Sequence, residues 1–327
     1  MTKIISGTTG MMIQRNSDGS GEGIPSGIVP QVNELFTISK SIGGNVCTVG
    51  HEPRYAASVN SINWRGLEWL YAVDHGQGLQ GSEIFSLDNP VGLNRCLIPT
   101  EQGSQENGSS LVVCDSVSIF RGTSVAADRA YTITDAAEWF DPGGVTAPLP
   151  YNTRKTSGFF RTRDITFGDG ADVNVIKIAQ TLVVPTRADV QALRYEFISP
   201  ASIYAPRTTF TRLFQVAMTT GTTTTEVSPL VDLVFQPTTT TDPYILVSTD
   251  GSTSAIGVYA PTSQLRELGY YQARSVASPG FMYCYYYDAH DTVTGMPAGN
   301  RTNDSYVILG TLAEVAQTFR NLYLKYG

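Results

Sequence analysis

The chain is short of charge. Of its 327 residues only 16% are Asp, Glu, Lys or Arg, against roughly a quarter in an ordinary globular domain. The 22 basic residues form no run, and the 29 acidic ones leave a net charge of −7. A surface for nucleic acid needs clustered cations, so no nucleic-acid partner is expected. Histidine occurs only 3 times. Cys47, Cys96, Cys114 and Cys284 make no C-x-x-C pair, so buried thiols are expected rather than a zinc site or a disulfide frame. No metal and no cofactor is expected. No apolar run approaches the roughly 20 residues of a membrane helix, so no membrane partner is expected either. The opening "MTKIISGTTGMMIQRNSDGSGEG" has no apolar core of a secretory leader. A cytoplasmic location is the expectation, or a secreted one where a leader has been removed.

Helical periodicity is also scarce; what fills the chain is alternation. "LFTISK", "NVCTVG", "SVNSINW", "AYTITDAAEWF", "GFFRTRDITFG", "VNVIKIAQTLVVP", "YILVSTDG" and "AIGVYAP" are short β-branched and aromatic stretches, punctuated by Gly, Asn or Pro. That spacing predicts an all-β chain, a large antiparallel β-sandwich. Residues 1–30 read as an irregular Gly/Ser/Pro-rich arm, and residues 31–327 as one sandwich domain. The tail "GTLAEVAQTFRNLYLKYG" is the exception. Leu312, Val315, Ala316, Phe319, Leu322 and Tyr323 share one helical face, and Thr311 with Glu314 has capping-box spacing, so a C-terminal helix near 312–325 is predicted. "TRADVQALRYEF" offers a second, shorter helical segment with a cap at Thr186 and Asp189.

Gly76-Gln77-Gly78-Leu79-Gln80-Gly81 has the G-x-G-x-x-G spacing of a dinucleotide turn. Such a turn must open a helix whose N-terminus takes the pyrophosphate. The sequel "SEIFSLDNPVGLN" breaks at Asn89-Pro90 and has no helical period, so the nucleotide reading fails. What remains is a glycine-flexed polar stretch at a strand end, with Asp74, His75, Gln77 and Gln80. Some twenty residues on, Glu101 and Gln102 lie in "LIPTEQGSQENGSS", bounded by Pro and Gly.

"SVNSINWRGLEWLYAVDHGQGLQ" followed by "IPTEQGS" resembles a group of uncharacterised bacterial proteins in which the matching stretches read roughly "YDHGRQLQ" and "NPTEAGS". The likeness continues in "AAEWFDPG", "YILVSTDGSTSAIGVYAP" and "SYVILGTLAEVAQTF", so it covers most of the chain from about Ile38. These proteins are similar to the galactose mutarotase-like β-supersandwich group, which holds aldose epimerases, polysaccharide lyases and glycoside hydrolase domains. The resemblance implies a supersandwich fold and a carbohydrate partner. Gln77 stands where the group has an arginine, and Ile98 where it has an asparagine. A neutral or weakly charged glycan is therefore expected.

Within that frame each candidate has a chemical and a structural reading. His75 titrates near neutrality and suits general acid or base work, or bonds a turn carbonyl. Asp74 orients it or supplies a second carboxylate, although adjacent strand residues face opposite ways. Glu101 is the leading carboxylate, or a turn acid accepting amides. Gln77, Gln80 and Gln102 can donate to and accept from sugar hydroxyls, or cap turns. Trp139 can stack on a pyranose or fill core, whereas Trp64 and Trp69 read as structural. Tyr287, Asp288 and His290, in "YYYDAHD", form a second acid/base cluster or a solvated turn. The expected function is a carbohydrate-active enzyme (hydrolase, lyase or epimerase). The alternative is a non-catalytic carbohydrate-binding or self-assembling β-module, with homo-oligomers open in either case.

Overall fold

The computed structural model describes residues 3–5, 12–14, 21–22, 24–31, 35–51, 56, 58–70, 79–87, 95–100, 116–141, 151–187, 194–206, 208–226, 236–238, 243–248, 253–261, 267–275, 278–287 and 298–327. In chain order the strands are β1 (Lys3–Ile5), β2 (Met12–Gln14), β3 (Gly21–Glu22), β4 (Ile28–Pro30), β5 (Phe36–Ile42), β6 (Asn45–His51), β7 (Val59–Trp64) and β8 (Leu67–Glu68). Then come β9 (Leu79–Leu87), β10 (Arg95–Thr100), β11 (Val117–Ser124), β12 (Arg129–Asp141), β13 (Tyr151–Asp169), β14 (Asp172–Val184), β15 (Arg194–Pro206) and β16 (Phe210–Ala217). The last are β17 (Thr222–Glu226), β18 (Gln236–Thr238), β19 (Tyr244–Ser248), β20 (Ala255–Tyr259), β21 (Glu267–Ser275), β22 (Ser278–Tyr287) and β23 (Gly299–Gly310), followed by the helix α1 (Leu312–Tyr326).

Two large antiparallel sheets face each other. The long sheet runs β4–β11–β12–β13–β14–β23–β20–β19–β16–β17. The facing sheet runs β5–β6–β7–β9–β15–β22–β21–β18. β10 pairs with β9 and with the C-terminal half of β12, and so stitches the two sheets together. The fold is an antiparallel β-sandwich with a C-terminal helix, as the alternation predicts.

Alternation also explains why the strands read as they do. In β23, Val307 and Leu309 point to the core between the sheets, while Tyr306 and Ile308 point outward beneath α1. β20 divides in the same way, with Ile256 and Val258 inward and Ala255 and Tyr259 outward. Strands buried on both faces read as continuous apolar runs, which is why "SYVILG" and "AIGVYAP" lack polar interruptions. The helix lays Val315, Ala316, Phe319 and Leu322 on that outer face. Gly257 permits the close approach: a Cβ there would sit 2.5 Å from the Phe319 ring. Thr311 and Glu314 close the predicted capping box, with Glu314 N–H donating to Thr311 Oγ1 at 3.3 Å and Thr311 N–H to Glu314 Oε2 at 2.7 Å.

Trp64 and Trp69 are structural, as expected. They are buried in the inter-sheet core with ring centroids 5.3 Å apart, and their indole N–H groups donate to the Ile42 and Trp64 carbonyls. Cys47 is a buried free thiol. Within residues 1–30, β1, β2 and β3 form a small sheet, and β4 pairs with β11. One expectation is corrected. The second helical segment is strand from Arg194 onward, because "RYEFIS" pairs with β9, and partner hydrogen bonds override a marginal helical period.

Candidate functional site

Residues directly opposite in antiparallel strands share a face, so cross-strand rows can be read from the registers. On the inner face of the long sheet one row is Ala130–Ile165–Ile178–Ser305, and it is mostly core. The next is Thr132–Arg163–Gln180–Asn303, and the one after is Thr134–Arg161–Leu182–Arg301. Within two rows the inner face turns from hydrocarbon to arginine and amide. Four strands at about 4.8 Å spacing make this patch about 14 Å wide.

Its central members are deeply covered, while Asn303 and Arg301 at its edge are half-buried. Arg161 and Arg163 are each 0% exposed and Gln180 is 2% exposed. Arg163 crosses to the other sheet, its Nη1 donating to the Leu79 carbonyl at 3.1 Å. Thr134 Oγ1 donates to the Ala56 carbonyl at 3.0 Å. Both side-chain polar atoms of Gln180 lack a hydrogen-bond partner, as does the Ser305 hydroxyl on the adjoining row. The long sheet's outer face handles charge differently. There Arg129 forks onto Asp164 through bonds of 2.8 and 2.6 Å, and that hydrogen bond holds the guanidinium pKa above its usual value.

Across the interior, Phe36, His51, Val59, Leu79 and Ile203 form one row of the facing sheet. His51 is buried and stacked on Phe36, with centroids 4.4 Å apart and planes at 3°. The patch therefore meets a histidine-bearing row at Leu79, the first residue of β9.

Of the residues singled out by motif, Asp74, His75, Gln77 and Gln80 flank Leu79 in the sequence. Asp74, His75, Gln77, Glu101, Gln102, Asp288 and His290 lie outside the described residues. Gln80, Trp139 and Tyr287 are described by backbone alone. Gln80 pairs with Ser202, Trp139 with Ile98 and Asn152, and Tyr287 with Glu267. The "DHGQG" stretch leads directly into Leu79, which Arg163 holds. Thr100, the residue before Glu101, pairs with Ser82, three positions along the same strand. Both motifs thus join the chain at the same end of the β9–β10 pair. Tyr285 reaches that level through Ser202 and Gln80.

His51, Arg161, Arg163 and Gln180 were missed by motif reading. The signal for two of them is in the alternation. Phe159, Arg161, Arg163, Ile165 and Phe167 fall at every second position of one strand, so two charges share a face with core residues.

No family model matches the chain, and no curated protein matches it. Solved structures show distant likenesses. A protein assigned as an aldose 1-epimerase from Klebsiella pneumoniae aligns with a TM-score of 0.45 at 9% identity, over 86% of this chain and 83% of that one. The Slr1438 protein from Synechocystis aligns with a TM-score of 0.45 at 11% identity, over 89% and 99%. The α-N-acetylgalactosaminidase NagBb from Bifidobacterium bifidum, solved with GalNAc, aligns with a TM-score of 0.43 at 10% identity, over 89% of this chain and 39% of that one. This chain therefore spans about two-fifths of that glycosidase. The fold itself is defined by its strand pairings.

A groove lies at the opposite end of β14 from the patch. It has a volume of about 430 Å3 and is lined by Trp64, Arg65, Asp172, Asn174, Gln317 and Asn321, among others. Its amides are already bonded: Asn174 Nδ2 to the Leu309 carbonyl at 2.8 Å, and Asn321 Nδ2 to Asp172 at 2.7 Å. It reads as the seam where α1 meets the sheet. Among the described residues no group of three or more His, Cys, Asp or Glu side chains forms a metal cluster. No described helix is long and apolar enough to cross a membrane.

Proposed function

We propose that this is a carbohydrate-active protein of the galactose mutarotase-like β-supersandwich type, with its site between the sheets where β9 begins and β10 ends. The observation that carries the reading is the polar patch of Arg161, Arg163, Gln180 and Asn303 on an otherwise apolar inner face, tied by Arg163 to the first residue of β9. Sugar hydroxyls need donors and acceptors fixed in a sheltered site, and arginine, amide and threonine side chains supply both. In this reading His75 and Glu101 supply the acid and base, Asp74 orients the histidine, and Gln77, Gln80 and Gln102 contact hydroxyls. Trp139, Tyr287, Asp288 and His290 line the rim. Residues 31–327 act as one domain.

A panel of glycans followed for new reducing ends and for unsaturated products tests the reading. Turnover is expected, and Glu101→Gln is expected to slow it on the order of a hundred- to ten-thousand-fold with little change in stability. The same change at Glu106 is expected to do little. Binding without turnover in the wild-type protein would instead identify a carbohydrate-binding module. Neither binding nor turnover would overturn the carbohydrate reading.

A further inference from the structure

We propose that the groove between α1 and the β7–β8 turn holds a saccharide of its own, an uncharged one, apart from the site between the sheets. The inference rests on the carbohydrate reading above for its ligand class and goes beyond it by naming a second place and the charge of what binds there.

The groove's volume of about 430 Å3 falls within the roughly 300–1,000 Å3 of small-molecule pockets. Several segments converge on it. Ile42 ends β5, Arg65 lies in the β7–β8 turn, Asp172 and Val173 open β14, and Glu314 and Gln317 come from α1. Arg65 is the decisive residue. Trp64 pairs with Leu67, so Arg65 and Gly66 form a two-residue turn, and both have positive φ, 54° and 75°. The first position of such a turn ordinarily takes Asn, Asp or Gly, and a bulky residue there is strained. Backbone strain of this kind gathers at functional sites. The Arg65 guanidinium lies 4.0 Å over the Trp64 ring, and its Nη1 donates to the Thr253 carbonyl at 3.1 Å. A guanidinium has five N–H groups to give, so the side chain is held in place with donors to spare.

The acceptors come from other segments. Asp172 Oδ1 accepts from Asn321 Nδ2 at 2.7 Å, and Glu314 Oε2 accepts from the Thr311 N–H at 2.7 Å. Gln317 Nε2 donates to Asn321 Oδ1 at 2.9 Å. These bonds leave the second oxygen of each acid and the Gln317 carbonyl oxygen to accept more. A ligand that uses both walls must donate and accept, which is what a hydroxyl does. A bare anion would meet two carboxylates, and a cation would meet Arg65. An uncharged polyol meets neither penalty. Ile42 and Val173, the latter 56% exposed, offer hydrocarbon to the C–H face of a sugar ring. The expectation of a neutral glycan drawn from Gln77 agrees with this charge pattern.

The test is calorimetric titration of the full chain with maltotriose and cellotriose, with a galacturonate trisaccharide, and with alanine as a small zwitterion. Arg65→Gly and Gln317→Ala are titrated beside the wild-type protein. Glycine suits the positive φ and alanine suits an exposed helix position, so both variants are expected to fold. A neutral trisaccharide is expected to bind more tightly than the galacturonate or alanine. Each variant is expected to weaken it about tenfold, as loss of a hydrogen bond to the ligand does, and to leave kcat on the glycan panel unchanged. Neutral-sugar binding that survives both variants would overturn the inference and leave the carbohydrate reading standing. Tighter binding of galacturonate or alanine, lost in Arg65→Gly, would overturn it too, marking a site for a charged ligand. Neutral-sugar binding lost in both variants, from a protein that turns over no glycan, would uphold the groove and remove the enzyme. Binding of no saccharide would overturn the inference and the carbohydrate reading together.

Discussion

The long sheet shows two solutions to burial on the same strands. On its outer face, β14, β20 and β23 meet α1 through Tyr259, Tyr306, Ile308, Val315, Phe319 and Leu322, and Gly257 is kept bare so that the Phe319 ring can seat. At the helix ends the polar groups are paired. Thr311 and Glu314 cap one end, and Lys325 and Tyr326 bond Asp169 at the other. On the inner face, further along β14 and β23, Gln180 and Ser305 are just as deeply covered but carry no bonds. Packing closes the first region, although the Tyr259 hydroxyl beneath α1 also lacks a hydrogen-bond partner. In the second, each unmade buried polar group costs about 1–3 kcal/mol, a cost that the proposed ligand site would offset.

The comparison breaks most easily at the helix. Phe319→Ala removes a fully buried ring from between α1 and Gly257, and an expected loss of about 3–5 kcal/mol in chemical denaturation follows from such cavities. Saccharide binding by the folded fraction should be unchanged, because Phe319 belongs to the outer cluster. Thr311→Ala is expected to be milder. It removes the side chain that accepts from the Glu314 N–H, and loss of a cap costs about 1 kcal/mol.

A smaller effect appears only in alkali. Burial pushes the Cys47 thiol from 9.0 up to about 12, with Glu68 adding to the rise. A group whose folded pKa is raised contributes its stability fully below the unfolded value and loses it as pH climbs toward the folded one. Stability should therefore hold to about pH 9 and then fall by about 1 kcal/mol per pH unit. Cys47→Ala should flatten that fall between pH 9 and 10. Above this, Tyr259 and Tyr306, whose hydroxyl pKa values burial also raises, add to the loss.

The helix-covered region was legible because its signals are local. A capping box, a helical stripe and two-sided apolar strands each announce themselves within a few residues. The inner patch was not, because its rows are made across strands. Thr132, Arg163, Gln180 and Asn303 come from four separate segments, and only the registers bring them together. "FFRTRDITF" held half of the clue, since its period of two puts Arg161 and Arg163 on the same face as Ile165. The second helical segment failed for the same reason, as the partner of "RYEFIS" lies more than a hundred residues earlier in β9. Motif reading found the segments flanking Leu79 and Thr100 in sequence, and Arg163 of the patch bonds the Leu79 carbonyl.

Equilibrium denaturation of Gln180→Leu, beside the wild-type protein, tests most directly whether the patch is a site or a core. Leucine has nearly the volume of glutamine and needs no hydrogen bond, so a site built at the expense of stability predicts an unfolding free energy unchanged or higher by about 1 kcal/mol. A loss of more than about 2 kcal/mol, of the size seen for core truncations, would contradict that account and make Gln180 part of the structure.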